Sequence, residues 1–584
     1  GLRAADDPAG ETLAFPHGGG VLLREPRAAL RAAAVEGIYP GWWTMQFSAY
    51  GAAAAGCLAA AVEDGAGRFK RFRWSHRPGT DTLEWSAIHF PDAPTHRHTV
   101  PYAVSLAMLA GNHWHAAAWY RAWATRQVWC SAGPLAQRAS PSLATAPGVW
   151  LWNRGDAHAV ARAARAFRQA LGAPVKLQWY WWHAAPYDTG FPDYFPPRGG
   201  ETAFGEAVQA LRNEGILAEV YVNGVFAGER SHRWEADGIA RHACKKSDGS
   251  LYRYVFNVFN QAPLTPMCPT TGYLQAMLAE TVARLSVLGV AGTYLDCVAC
   301  ACPVACYDAS HPHQGPYGSF WVDAYRQLIP QVRRAGGPDF TLTTESCAEP
   351  YLDLFDAFLV LDVSFDRYAF FRQFAGRWEP IPLFAAVYHD YARIFGASAQ
   401  PGVRQPYDPL WPPAPTGEPA SVVHADYTAY LRYELARLFV WGHQPMVANW
   451  EPGLEERAGV RQSLQFLRTL VALRETYRAW LDVGRLRALP ETECPWDTLC
   501  CLVSWVYQAP GSESVTERPA PAVVAGAWES PEGRRALFLA NHTLAPAAFR
   551  LTPPPDWGAT EWEAQEGIRH PMVAADGTLS GELP

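Results

Sequence analysis

The stretch VWLWNRGDAHAVARAARAFRQALGAPVKLQWYWW (residues 149–182) decides the fold. A short apolar run, VWLWN (149–153), is followed by the helical pattern AHAVARAARAFRQALG and then by a second apolar run, VKLQWYWW (175–182). Strand, helix and strand in close succession mark a βα unit on a parallel sheet. Further strands of this kind are read at LAEVYVNG (217–224), VAGTYLD (290–296), FTLTTES (340–346), DAFLVLDVS (356–364), IPLFAAVYHD (381–390) and PMVANW (445–450). Between them lie the helical patterns FGEAVQALRNEG, GYLQAMLAETVARLSVLG and WVDAYRQLIPQVRRAGG. Gly215 and Gly289 close two of these helices, where a left-handed residue is expected. Eight such units over roughly 300 residues predict a TIM barrel. A doubly wound open sheet is disfavoured, because no G-x-G-x-x-G or phosphate-binding loop follows any of the strands.

The flanks read differently. Residues 1–110 hold short apolar runs between Gly, Pro and Asp (GVLLREP, WTMQFSAYG, RFKRFRW, LEWSAIHFP), which predict an antiparallel β-sandwich. Residues 111–147 form a helical linker around NHWHAAAWYRAWATRQVWC (112–130), and the barrel occupies 148–453. A helical connection, 454–490, and a small C-terminal β-domain, 491–584, complete a multi-domain chain. A length of 584 residues is too great for one core, so several domains are expected on that ground as well.

Hydrophobic residues make up 49% and charged residues 18%, ordinary values for a folded protein. A net charge of −7 gives no reason to expect nucleic acid or an anionic membrane as partner. Apolar runs such as Gly51–Val62 are too short to span a bilayer. No signal peptide is visible, which favours the cytoplasm but leaves the location open, as the initial Gly leaves open an upstream piece. The 25 Trp and 25 Tyr fit a large core with aromatic domain interfaces, and carbohydrate, whose C–H faces stack on flat rings, is the second reading of this composition.

In a TIM barrel the active site lies at the C-terminal ends of the strands. Here those ends carry Trp152-Asn153, Trp182-His183, Asn223, Asp296, Glu345, Asp362, His389-Asp390 and Asn449-Trp450-Glu451. Cleaving a glycosidic bond takes two carboxyl groups, one to protonate the leaving oxygen and one to attack the anomeric carbon or activate water. Asp296 and Glu345 end neighbouring predicted strands and are the candidate pair. Each also has a structural reading: Asp296 as the cap of the following loop, Glu345 as the partner of Arg367 or His389. Asp362 competes for the role of Glu345. Trp152, Trp182 and Trp450 are candidate stacking platforms, and His183, Asn223, Asp362 and His389 candidate hydroxyl-binding groups. Tyr187, Tyr194 and Phe195, in a Pro/Gly-rich loop, are read as part of a pocket wall.

Four cysteines crowd into DCVACACPVAC: Cys297, Cys300, Cys302 and Cys306. Their spacing matches no standard zinc pattern, and His311 and His313 follow close behind. A Cys-tolerant loop or a local disulfide accounts for the run, so neither metal nor cofactor is expected, with a metal or redox centre as the minority reading. The remaining cysteines read as small buried hydrophobes.

Through YPGWWTMQF (39–47), NHWHAAAWYRAW (112–123), VWLWNRGD (149–156), GTYLD (292–296), CYDASHPHQGPYGSFWVDAYR (306–326) and TTESCAEPYLDLFDAF (343–358), the chain resembles a bacterial glycosidase-like family catalogued as a domain of unknown function. That family is distantly similar to the endo-α-N-acetylgalactosaminidase group and to other retaining α-glycosidases. The resemblance implies a nucleophile at Asp296, an acid/base at Glu345, and an α-specific retaining hydrolase acting on an oligosaccharide, polysaccharide or glycoconjugate. An inverting hydrolase, a transglycosylase and a non-catalytic carbohydrate-binding protein are the alternatives. The sequence does not define the oligomeric state.

Overall fold

The computed structural model describes residues 1–52, 55–92, 97–257, 260–364, 374, 377–397, 426–503, 514–557, 569–573 and 577–584. Its centre is an eight-stranded sheet in which every pairing is parallel. The strands are β1 (Val149–Arg154), β2 (Val175–Tyr180), β3 (Leu217–Asn223), β4 (Gly292–Asp296), β5 (Thr341–Glu345), β6 (Ala357–Leu359), β7 (Ile394–Phe395) and β8 (Met446–Ala448). β8 pairs with β1, and a bridge between Phe395 and Gln444 brings β7 back to the start of β8. The result is the expected TIM barrel.

Helices α1 (Ala157–Leu171), α2 (Glu201–Asn213), α3 (Gly272–Val287), α4 (Phe320–Gly336), α5 (Thr428–Val440) and α6 (Ala458–Thr476) belong to this barrel and its closing segment. α1 shows why the sequence reads so clearly. The Asp156 carboxylate accepts from the amide of Ala159 at its start, and Gly172, at φ 66°, ends it in the left-handed region. Its buried face, Val160, Ala164, Phe167 and Leu171, repeats at helical spacing.

The seventh predicted strand is corrected. Residues 381–390 contain the helix Leu383–Tyr388, and the strand itself lies at Ile394–Phe395. All six residues of that helix are buried. A segment apolar on every side carries no period, so helix and buried strand look alike in the sequence.

The barrel interior also departs from the expectation of apolar strand bodies. Register sets Trp152, Gln178, Glu219 and Thr343 on inward positions, and a polar network fills the lower barrel. The Lys176 ammonium donates to Gln444 Oε1 (2.7 Å), Gln178 Nε2 to Glu219 Oε1 (3.0 Å) and the Thr343 hydroxyl to Glu219 Oε2 (2.9 Å). Burial drives the Lys176 ammonium down to about 7 and the Glu219 carboxyl up to about 8. Above this layer stand Tyr180, Tyr221 and Tyr294, with ring centroids 5.0–6.0 Å apart.

Before the barrel lie two antiparallel sheets of six and three strands, whose facing residues, among them Leu13, Leu23, Trp43, Tyr50, Phe72 and Trp74, form one core. The sixth strand of the larger sheet is Trp378–Pro380, lent from between β6 and β7 to pair with Val21–Leu23. After the barrel, α6 leads into small antiparallel sheets built on Arg485–Ala488, Val523–Glu529 and Arg535–Asn541, and on Ala547–Leu551 and Leu579–Leu583. Among the described residues no helix is long and apolar enough to cross a membrane.

Candidate active site

Four non-glycine residues take a left-handed conformation immediately after a barrel strand: Trp181 (φ 50°) after β2, Cys297 (φ 71°) after β4, Ser346 (φ 61°) after β5 and Asn449 (φ 59°) after β8. Such a residue costs roughly 1–2 kcal/mol and persists only where surrounding structure enforces it. Two of the four follow Asp296 and Glu345 directly. The chain therefore turns sharply away just after each carboxylate, leaving both at the barrel mouth.

Register places these two side by side. Asn223 pairs with Asp296, and Leu295 pairs with Thr344, so Glu345 comes at the level of Asp296 on the adjacent strand. Asp296 is held from below by two phenols, Tyr294 donating to Oδ1 (2.9 Å) and Tyr221 to Oδ2 (2.9 Å). Burial first, and then the charge of Asp296, push both phenols well above the ordinary tyrosine range, so they stay protonated donors. Asn223 Nδ2 lies 3.4 Å from Asp296 Oδ2, while its own Oδ1 is fixed by the amides of Val225 and Phe226.

Two thiols complete the rim. Cys297 donates to Asp296 Oδ2 (3.2 Å) and Cys300 to Glu345 Oε2 (3.1 Å). The Cys297 thiol is drawn down by its hydrogen bond with Cys300, yet burial and the two carboxylates raise it overall. Burial, then Cys297 and Glu345, raise Cys300 far above the ordinary thiol value. Both therefore remain S–H donors at neutral pH. Asp296 keeps 8% exposure and Glu345 is half-buried, so the pair is enclosed without being sealed.

The other predicted residues divide. Trp152 faces inward, edge-on to Tyr180 at 5.0 Å, and Asn223 touches Asp296. His183 is fully buried, its Nδ1 2.8 Å from the carbonyl of Ala185 and its ring among Phe191, Tyr194 and Tyr221. Tyr194 lies in the wall, its hydroxyl accepting from the amide of Asn223 (2.8 Å). Trp182 and Trp450 are not brought to the mouth. Trp182 is fully buried and donates to the carbonyl of Tyr221, and Trp450 packs on Phe167 of α1. His389 ends the helix Leu383–Tyr388, with ring nitrogens 2.8 and 3.0 Å from the carbonyls of Gly484 and Gly442 and its ring against Trp528. Both nitrogens are thus engaged by backbone, which leaves none to bind a hydroxyl. Asp362 falls in the turn Leu361–Val363, but its side chain lies outside the described residues.

Sequence reading missed Tyr221, Tyr294 and Arg154, whose guanidinium lies 4.4 Å from the ring centroid of Trp181. The signal was present, since strand alternation from Asp296 points Tyr294 inward and its register partner Tyr221 with it.

The cysteine run does not act as one cluster. All twelve cysteines carry free thiols, so no disulfide closes the loop. Cys297 and Cys300, with an oxygen of Glu345, bring three donor atoms within 4.8 Å of one another. Cys302 faces the carbonyl of Ile38 (3.9 Å), and Cys306 joins a different group, with Cys268, His311 and His313. Two surface clefts, of about 550 and 490 Å³, lie at the opposite end of the barrel, around the C-terminal ends of α4 and of α1 and α2.

Comparison with known proteins sets this geometry in context. The sequence model of a family described as "Domain of unknown function (DUF6259)" matches residues 98–399. A curated relative from Monosiga brevicollis, "Putative glycoside hydrolase 22789", is 31% identical over 433 residues, covering 68% of this chain and 35% of that protein. A second, "Putative glycoside hydrolase" from Bacteroides thetaiotaomicron, is 26% identical over 430 residues, 72% of this chain and 56% of its own length. The chain thus spans between about a third and just over half of the curated relatives it matches. Among solved structures, the ligand-free α-N-acetylgalactosaminidase NagBb from Bifidobacterium bifidum aligns with a TM-score of 0.61 at 14% identity, covering 92% of this chain and 80% of that one. The GH36 α-galactosidase AgaA from Geobacillus stearothermophilus aligns at 0.54 with 8% identity, covering 99% and 76%. At these identities the likeness is one of fold.

Proposed function

Because the chain belongs to the family described as domain of unknown function DUF6259, with relatives carrying glycoside hydrolase names, we propose that it is a glycoside hydrolase cleaving an α-linked saccharide with retention of configuration. The observation that carries the proposal is the register of Asp296 and Glu345 at the ends of β4 and β5, each followed by a left-handed residue that turns the chain away from the mouth. In this reading Asp296 attacks C1 of the sugar while Glu345 protonates the departing glycosidic oxygen. The C1–oxygen bond breaks as the ester to Asp296 forms. Glu345, now ionised, takes a proton from water, which attacks C1, releases the sugar and frees Asp296. Tyr221 and Tyr294 fix the orientation of the attacking carboxylate, and Asn223 holds its outer oxygen. Trp152 and Arg154 both lie on β1, in register with Gln178 and Tyr180, and Arg154, nearer the mouth, stands on the side where a sugar ring would lie.

The test is a panel of nitrophenyl glycosides and oligosaccharides in α and β forms, beginning with α-galactosides and α-N-acetylgalactosaminides, the substrates named for the two solved neighbours. Cleavage with retention, read by NMR of the first-formed anomer, is expected. Asp296→Asn and Glu345→Gln should each lower kcat by about 10³-fold or more. Full activity in the Asp296 variant removes the nucleophile, and first-formed product of inverted anomeric configuration removes the double displacement.

A second reading rests on the three donors Cys297, Cys300 and Glu345, which resemble a catalytic metal site with an open position. Each thiol instead donates to a carboxylate, Cys297 to Asp296 and Cys300 to Glu345, which makes this the less favoured reading. Retained activity after exhaustive chelation would decide against it.

A further inference from the structure

Beyond the barrel mouth lies a second group of side chains, and it stands on its own whether or not the barrel cleaves a sugar. Cys268 follows the short strand Leu264–Pro266, in the segment between β3 and β4; Cys306, His311 and His313 belong to the loop after β4. Their four donor atoms lie within 4.8 Å of one another. From the structure we infer a structural zinc site formed by Cys268, Cys306, His311 and His313.

Three observations support this assignment. The first is the donor set. Two sulfurs and two imidazole nitrogens form a closed tetrahedral zinc shell, in which bonds of about 2.0–2.3 Å put the ligand atoms roughly 3.4–3.8 Å apart. Cys306 Sγ and His311 Nδ1 are already 3.2 Å apart, and the Cys268, Cys306 and His311 side chains are buried.

The second is the surrounding shell. His311 Nε2 lies 2.9 Å from the carbonyl of Arg241 and donates to it, which fixes the tautomer that turns Nδ1 toward the centre. Thr270 Oγ1 lies 3.1 Å from Cys268 Sγ, and the thiol of Cys244 is buried beside the two sulfurs.

The third is an uncompensated polar ring. Both nitrogens of His313 are buried with no hydrogen-bond partner, while the ring is clamped flat against Phe320 at 4.5 Å. A buried imidazole nitrogen without a partner costs about 1–3 kcal/mol, and a metal bond removes that cost at the nitrogen it engages.

With four protein ligands the site keeps no open position, so zinc here fastens rather than reacts. It ties the segment after β3 to the loop after β4, and that loop begins with Cys297 and Cys300 beside the carboxylates.

Elemental analysis of the intact chain, incubated with zinc and desalted, tests the assignment. Close to one zinc per chain is expected, falling at least tenfold in Cys306→Ser and in His313→Ala, while Cys297→Ser/Cys300→Ser retains it. Because the first two variants risk misfolding, cobalt(II) substituted into the wild-type chain gives an independent reading. The strong visible bands and thiolate charge transfer of a tetrahedral two-sulfur site are expected. Zinc-free wild-type protein, zinc lost from the Cys297/Cys300 variant but kept in Cys306→Ser, or a cobalt spectrum without thiolate charge transfer would each overturn it.

Discussion

At the scale of single residues, the site is a matter of which way a side chain faces. The placement of Asp296 and Glu345 side by side at the ends of β4 and β5 was legible, because strand ends can be read from the apolar runs that precede them. The three tryptophans divide: Trp152 faces inward, whereas Trp450 packs on α1 and Trp182 on Phe204, since alternation turns some of these rings outward. The tyrosine under Asp296 yields a prediction. Tyr294→Phe removes one of the two phenol donors to Asp296, and should lower kcat by about tenfold, equivalent to ~1.4 kcal/mol, with little change in KM. A second prediction concerns Ser346, whose hydroxyl is buried without a hydrogen-bond partner and whose φ is 61°. Ser346→Gly should raise stability by about 1 kcal/mol in denaturant unfolding, since glycine takes this backbone conformation without strain. An unchanged midpoint would mean that the turn is not strained.

At the scale of elements, seven of the eight barrel strands announced themselves through apolar runs of the right length. The eighth, β7, has only two residues, too few for any period to show, and the longer apolar run before it became a helix. The turn after β5 carries an element contact with a measurable pH signature. Glu349 accepts from Tyr120 (2.9 Å), Tyr388 (2.6 Å) and Gln46 (3.2 Å), joining the barrel to the helix His113–Ala124 and to the N-terminal sheets. Burial raises its carboxyl from 4.5 to about 7 against the lowering effect of those donors. The folded protein therefore holds this proton more tightly than the unfolded chain. The resulting stability is full below pH 4.5 and is lost as pH rises through about 7, worth at most ~3 kcal/mol. Glu349→Gln keeps most of the hydrogen bonds and should flatten the fall in Tm between pH 5 and pH 8. A slope identical to that of wild type would place the titration elsewhere.

Over the whole molecule, alternating strand and helix made the barrel visible, whereas the cysteine–histidine group was not. Its fourth member, Cys268, stands far upstream of the other three, and only folding brings β3's segment over the loop after β4. The docking of the C-terminal sheets was equally hidden. Trp528 is fully buried, donates to the carbonyl of Val440 (2.9 Å) and packs against His389. Arg474 of α6 reaches the carbonyls of Gly442, His443 and Leu481. Trp528→Ala should cost about 3–5 kcal/mol, read as a lowered Tm of the whole chain. Loss of only a separate, minor transition would show instead that the C-terminal sheets unfold alone.

The strand Trp378–Pro380, seated along Val21–Leu23, has a consequence for how the chain is made. Once residues 1–147 have left the ribosome, the rim of the sheet at Val21–Leu23 is still unpaired, and the strand that covers it has yet to be translated. Any nascent or truncated form ending before residue 380 exposes that rim to other chains. Expressed alone, the amino-terminal fragment is expected to self-associate, and a synthetic peptide carrying residues 377–381 should suppress it.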